Sequence, residues 1–131
     1  VFDIYMPDFK FWDSEIANKI CNAPDYPEVA RKAVAEMHRQ VGDLKIDNNG
    51  IAQHGLLIRH LVLPEGLAGT REIARFIADK ISSNTYVNIM PQYRPCGKSY
   101  EMEELSNFLT QKEYNDAVEF AKEEGLWRLD R

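Results

Sequence analysis

The feature that most constrains the fold is a nearly continuous apolar segment in the middle of the chain. It covers residues 56–63, is interrupted at Arg59 and His60, and stops at Pro64. A run of this kind is typical of a strand in a parallel sheet, where both faces are covered. The segment therefore predicts a parallel α/β fold.

Strand and helix signals alternate on both sides of this segment. A β-rich run covers residues 1–9, and another covers residues 86–90. Helices are predicted over residues 13–20, 27–42, 70–81 and 110–125, with Asp13, Thr70 and Thr110 as the caps of the first, third and last. Short alternating runs on either side of Asn49 and Gly50 predict a small hairpin. This order predicts βαβ units with three parallel strands and flanking helices.

The chain also begins abruptly. Val1 already belongs to the first β-rich run, with no polar lead-in or turn signal before it. Natural domains seldom begin in this way, whereas excised pieces often do. Residues 1–131 are therefore predicted to be a single domain cut from a larger strand–helix enzyme, with an open strand edge.

Composition narrows the class of protein further. The net charge of -5 argues against a nucleic-acid partner, because phosphate binding favours a basic face. No apolar run approaches the roughly 18–20 residues that a membrane span needs. Cys21 and Cys96 are the two cysteines, too few for a secreted disulfide scaffold, so a cytoplasmic location is predicted.

Polar residues lie near the carboxyl end of each predicted parallel strand, where α/β proteins bind ligands. The first strand supplies Asp8 and Lys10, the second supplies Arg59, and the third supplies Asn88. Gln92 and Tyr93 follow that third strand. Asp8, Lys10 and Arg59 together could hold a zwitterion or another charged small molecule. A structural ion pair among them is an equally good interpretation of the spacing.

The histidines and cysteines give weaker signals. His60 is predicted to point to the opposite face from Arg59, as a hydrogen-bonded packing residue rather than a ligand. Cys21 is predicted to be half-buried, and Cys96 is a loop thiol with no recognisable base beside it. Their spacing does not indicate a metal site.

Two longer segments resemble a known family. They are residues 3–10, which read DIYMPDFK, and residues 55–64, which read GLLIRHLVLP. With supporting segments at 22–27, 37–42 and 90–97, the chain resembles the C-terminal half of a radical S-adenosylmethionine enzyme. The similarity is to the branch of the pyruvate formate-lyase activating enzyme.

The resemblance implies a partial barrel of six strand–helix units, of which this chain would hold the last three. It implies that Asp8, Lys10 and Arg59 lie beside the amino-acid part of S-adenosylmethionine. It also implies that Gln92 and Tyr93 contact the adenosyl part. The parent would reductively cleave S-adenosylmethionine and abstract a hydrogen atom from a substrate, which could be a glycine of a partner protein.

One part of the family pattern is absent from the sequence. The C-x-x-x-C-x-x-C motif, whose thiolates bind a [4Fe–4S] cluster, does not occur, and Cys21 and Cys96 cannot replace it because three closely spaced thiolates are needed. The chain by itself is therefore expected to be catalytically inactive. It would need the N-terminal half of the barrel as its partner.

Two other interpretations of the function stay open. The chain could be a non-catalytic interaction domain that forms a homodimer through exposed strand edges. It could also bind a charged small metabolite through Asp8, Lys10 and Arg59.

Overall fold

Parallel strands with helices between them form the framework of the chain, which a computed structural model describes over residues 3–93 and 108–130. The strands are β1 (Asp3–Tyr5), β2 (Lys45–Ile46), β3 (Ala52–Leu61), β4 (Tyr86–Met90) and β5 (Leu129–Asp130). The helices are α1 (Ser14–Cys21), α2 (Tyr26–Val41), α3 (Thr70–Phe76) and α4 (Gln111–Glu123). A 3-10 turn covers Pro64–Gly66, and a π-helical turn, Ile77–Ile81, continues α3.

The sheet order is β1-β3-β4-β5, with every neighbouring pair parallel. The short β2 pairs antiparallel with the beginning of β3 and forms the predicted hairpin. The α/β class and the mostly parallel sheet are confirmed. Within the described residues, no helix combines the length and the apolar character needed to cross a membrane.

Local sequence signals determine three of the helix ends as predicted. The Asp13 side chain accepts a hydrogen bond of 2.7 Å from the backbone N–H of Glu15, which caps α1 as predicted. Thr110 and Glu113 form a reciprocal capping box at the start of α4. Gly42 terminates α2, also as predicted.

The cap predicted at Thr70 is wrong. Gly69 occupies the N-cap position with φ 73°, and Thr70 is the first residue of α3. Its hydroxyl lies 2.8 Å from Nε2 of His60 instead of capping the helix. The Thr70 hydroxyl, which the sequence predicted to cap the helix, is instead hydrogen-bonded to the buried His60 on β3.

The strand boundaries differ from the prediction at β1 and β3. The second arm of the hairpin and the apolar segment form one strand, Ala52–Leu61, which ends before residue 63. The regular part of β1 is shorter than predicted, although Asp8 still pairs with Arg59. Pro7 explains the interruption, because its ring nitrogen has no hydrogen to donate to the β3 ladder.

A fourth parallel strand was missed. The tail after Gly125 was predicted only to be extended, but Leu129 pairs with Val87 and Asp130 with Asn88. The described chain therefore has four parallel strands rather than three, and β5 covers part of the edge of β4.

One face of the sheet forms the main core. Side chains that alternate along β3 and β4 pack there with α2, α3 and α4; they are Leu56, Ile58, Val87 and Ile89, with Val62 just beyond β3. The other face, here called the open face, carries Leu57, Arg59, Leu61, Tyr86, Asn88 and Met90, all half-buried or exposed. The expectation that both faces of β3 are covered therefore does not hold in the described residues.

A second, smaller cluster lies beyond the carboxyl ends of the strands. Phe11, Ala17, Leu63 and Ala68 form it, and α1 contributes through Ala17. This cluster positions α1 beside the end of the sheet where α/β proteins bind ligands.

Candidate functional site

A row of four polar side chains crosses the open face. The strand register aligns Asp8 with Arg59, Arg59 with Asn88, and Asn88 with Asp130. Side chains at directly paired positions project from the same face of a sheet. Asp8, Arg59, Asn88 and Asp130, here called the polar row, therefore lie side by side, with Asp8 beyond the end of β1 and the other three on β3, β4 and β5.

The best-defined contact in the polar row joins Asp8 and Arg59. Arg59 Nε lies 3.6 Å from Asp8 Oδ1, and 45% and 43% of the two side chains are exposed. An ion pair this exposed contributes little to stability, typically less than about 1 kcal/mol. Its two charges can therefore be redirected to a ligand at small cost.

Apolar side chains lie on both sides of the polar row. Leu57 and Tyr86 pair directly on one side, and Leu61 and Met90 pair on the other. The sulfur of Met90 is 3.9 Å from Nη2 of Arg59, which ties one apolar pair to the row. The open face thus presents opposite charges surrounded by apolar surface. That combination suits a zwitterionic small molecule with an apolar or aromatic part.

The other predicted site residues lie near the carboxyl ends of the strands. Lys10 is exposed two residues beyond Asp8, and Gln92 is exposed beyond β4. Tyr93 is half-buried and packs against the second cluster. The structure brings Asp8 and Arg59 into contact, and it leaves Lys10, Gln92 and Tyr93 outside the polar row.

Asp130 is the member of the polar row that the sequence did not predict. It belongs to a strand of only two residues, too short for a period-of-two pattern. Asn88 was predicted, because it lies in a strand that the sequence identifies clearly.

The backbone from Asp8 to Lys10 is held by two side chains from other elements. The Tyr26 hydroxyl donates to the carbonyl oxygen of Asp8 at 3.0 Å and accepts from the N–H of Lys10 at 3.0 Å. His60 Nδ1 lies 2.8 Å from the carbonyl oxygen of Phe9, between those two residues. Burial raises the pKa of the Tyr26 hydroxyl, and the nearby Asp8 carboxylate also raises it.

His60 has the packing role that was predicted. It is buried, and its second nitrogen, Nε2, contacts the Thr70 hydroxyl. Because a carbonyl can only accept, Nδ1 carries the hydrogen, and in the neutral ring Nε2 then accepts from the Thr70 hydroxyl. Burial lowers the pKa of the ring, although the bond to Phe9 opposes that shift. Burial therefore disfavours the protonated form of His60.

The predictions for the two cysteines and for a metal site have different outcomes. Cys21 is exposed at the end of α1, so the prediction of a half-buried thiol is wrong. Cys96 lies outside the described residues. Among residues 3–93 and 108–130, no group of three or more histidine, cysteine, aspartate or glutamate side chains could hold a metal ion. A chain with two cysteines does not supply the three thiolates that a cluster of the implied kind needs.

Comparison with known proteins gives a relative but no activity. The chain is 31% identical over 127 residues to an uncharacterized protein of Methanocaldococcus jannaschii. The match covers 96% of this chain and 33% of that protein, so the chain spans about a third of the length of the curated relative. No protein family and no solved structure matches the sequence. Fold and site thus define an α/β protein with a mostly parallel sheet and a charged open face.

Proposed function

We propose that this chain is the C-terminal part of a partial (β/α)6 barrel in a radical S-adenosylmethionine enzyme, similar to the pyruvate formate-lyase activating enzyme. The polar row on the open face carries this proposal. In such a barrel the helices lie outside and the bare face of the sheet lines the interior. The same division is present here, with α2, α3 and α4 on one face and Asp8 and Arg59 on the other.

The charges of the polar row fit the amino-acid part of S-adenosylmethionine. The Asp8 carboxylate is the complement of its ammonium group, and the Arg59 guanidinium is the complement of its carboxylate. Leu57, Leu61 and Met90 offer apolar surface to the adenosyl part. Lys10, Gln92 and Tyr93 would complete the wall from the carboxyl ends of the strands. The role of this chain is therefore to bind and orient the cofactor.

The iron–sulfur cluster would be held by another part of the protein. When bound, such a cluster supplies the electron that cleaves the sulfonium bond, and no residue of this chain takes that role. The relative from M. jannaschii is long enough for a further portion, since this chain matches 33% of it. We accordingly propose an N-terminal half of the barrel as the partner and expect the isolated chain to be inactive.

Formation of 5′-deoxyadenosine tests this proposal. The whole protein that contains this chain would be reconstituted anaerobically with iron and sulfide, then mixed with S-adenosylmethionine and dithionite. We expect 5′-deoxyadenosine and methionine to form in equal amounts, and the isolated chain to form neither. A whole protein that shows no absorbance near 400 nm and releases no 5′-deoxyadenosine would rule the proposal out.

A second candidate function is the binding of a charged metabolite without radical chemistry. The exposed Asp8–Arg59 pair favours it, because that pair needs no cluster to hold a zwitterion. Assays of the same whole protein distinguish the radical enzyme from the metabolite binder. Tight binding of an amino acid or organic anion, with no cleavage of S-adenosylmethionine, would favour the metabolite binder.

A further inference from the structure

The backbone segment that presents Asp8 and Lys10 has few contacts of its own with the sheet. Phe9 N–H donates to Arg59 O, and Arg59 N–H donates to Pro7 O, both at 2.9 Å. Pro7 has no N–H for the preceding position of the ladder. The N–H of Lys10 turns away from β3 to the Tyr26 hydroxyl. The end of the first strand therefore depends on side chains from other elements for its conformation.

Tyr26 supplies the most direct of these supports. Its hydroxyl contacts the carbonyl of Asp8 and the N–H of Lys10, which closes a bridge across Phe9. Its ring packs edge-on against Phe11, with centroids 5.8 Å apart at 76°. Tyr26 is the first residue of α2, a 16-residue helix that also packs on β1 and β3. A rigid helix thus fixes the hydroxyl, and the hydroxyl fixes the segment.

His60 supports the same segment from the covered face. It contacts the carbonyl of Phe9, the residue between Asp8 and Lys10, and it is itself fixed by Thr70. Phe9 is fully buried in the main core, so its side chain anchors the backbone between Asp8 and Lys10 on the covered face of the sheet. The side chains on either side of Phe9 are left to face the solvent at the carboxyl end of the strand.

We propose that Tyr26 is a positioning residue that sets the spacing and direction of Asp8 and Lys10 for the ligand of the open face. The inference rests on the proposed function, because it takes S-adenosylmethionine as that ligand. The Tyr26 hydroxyl does not touch the ligand. It acts through the two backbone groups that it bridges. Loss of the hydroxyl lets the Asp8 carboxylate and the Lys10 ammonium group move apart.

The test is the variant Tyr26→Phe in the whole reconstituted protein. It keeps the ring against Phe11 and removes only the oxygen. We expect the KM for S-adenosylmethionine to rise about tenfold, because a displaced Asp8 carboxylate loses its aligned contact with the ammonium group of the ligand. The kcat at saturating S-adenosylmethionine should stay within about twofold, since no reacting group has been touched.

Thr85→Val is the matched control. Thr85 also donates its hydroxyl to a backbone carbonyl, that of Ser82, at 2.7 Å, and it is fully buried just before β4, away from the carboxyl ends of the strands. Its removal should leave the KM unchanged, so that a general loss of stability is separated from a loss of positioning. A Tyr26→Phe enzyme with the KM of the wild type, or with a lower kcat alone, would overturn the inference.

Failure of the proposed function has a different appearance. The wild-type protein would then release no 5′-deoxyadenosine, whereas failure of this inference alone leaves an active wild type and an unaffected Tyr26→Phe variant. If that variant does not fold, amide exchange in the unaltered chain is the test. Strong protection of the Lys10 N–H is expected, and exchange at the rate of an exposed loop would contradict the bridge.

Discussion

Asp8 and Arg59 lie opposite each other on neighbouring parallel strands, with Nε and Oδ1 3.6 Å apart and almost half of each side chain exposed. The geometry is loose for an ion pair that stabilises a fold. It is suitable for two charged groups, Asp8 and Arg59, that give up their contact with each other when each binds a charged group of a ligand. This relationship connects the sheet register to the proposed binding of a zwitterion.

A double-mutant cycle of these two residues should give a small coupling energy. We expect Asp8→Asn, Arg59→Gln and the double variant to yield a coupling below about 1 kcal/mol, because both charges are well solvated. Chemical denaturation of the isolated chain measures it. A coupling of about 3 kcal/mol or more would mean that the pair is structural.

Gly55 should be irreplaceable by residues with a side chain. It has φ +120°, and an added Cβ would lie 2.4 Å from the carbonyl oxygen of Asp43 and 2.5 Å from Cα of Leu44. Both obstacles are backbone, so Gly55→Ala should lower the free energy of unfolding by more than about 2 kcal/mol. Gly50→Ala is the control, since φ is +80° there but the space is open. Equal losses for the two variants would contradict this account of β3.

The buried His60 should make stability depend on pH. Its pKa is lowered in the folded chain, so below about pH 6.5 the unfolded state binds the proton more readily. The contribution of His60 is therefore complete above that pH. It is lost as the pH falls, by at most about 1.4 kcal/mol per pH unit.

Denaturation of the wild type and of His60→Gln between pH 5 and pH 8 measures this effect. The difference in unfolding free energy between the two should shrink on acidification. A difference that stays constant over the range would show that His60 titrates alike in the folded and unfolded chain.

The parts of the fold that sequence predicted are those with local causes. Asp13 and Thr110 cap helices through bonds to residues two or three positions away, so the pattern alone reveals them. The apolar stretch of β3 likewise identifies its own strand. The α/β class followed from such elements.

The parts that were missed depend on distant partners. Thr70 has the composition of a cap, but a histidine ten residues earlier in the chain captures its hydroxyl. Leu129 and Asp130 become a strand only because β4 has an open edge beside them. Asp8 and Arg59 could be predicted as neighbours from strand order, whereas Asp130 could not join them until β5 was known.

The most direct measurement for the central claim is the affinity of the whole reconstituted protein for S-adenosylmethionine before and after Arg59→Gln. We expect Kd to rise at least about tenfold, because the guanidinium is proposed to hold the carboxylate of the ligand. Arg39→Gln is the control, since Arg39 pairs with Glu36 on the surface of α2. Its Kd should match the wild type. An Arg59→Gln protein that binds S-adenosylmethionine as tightly as the wild type would contradict the assignment of the open face as the cofactor wall.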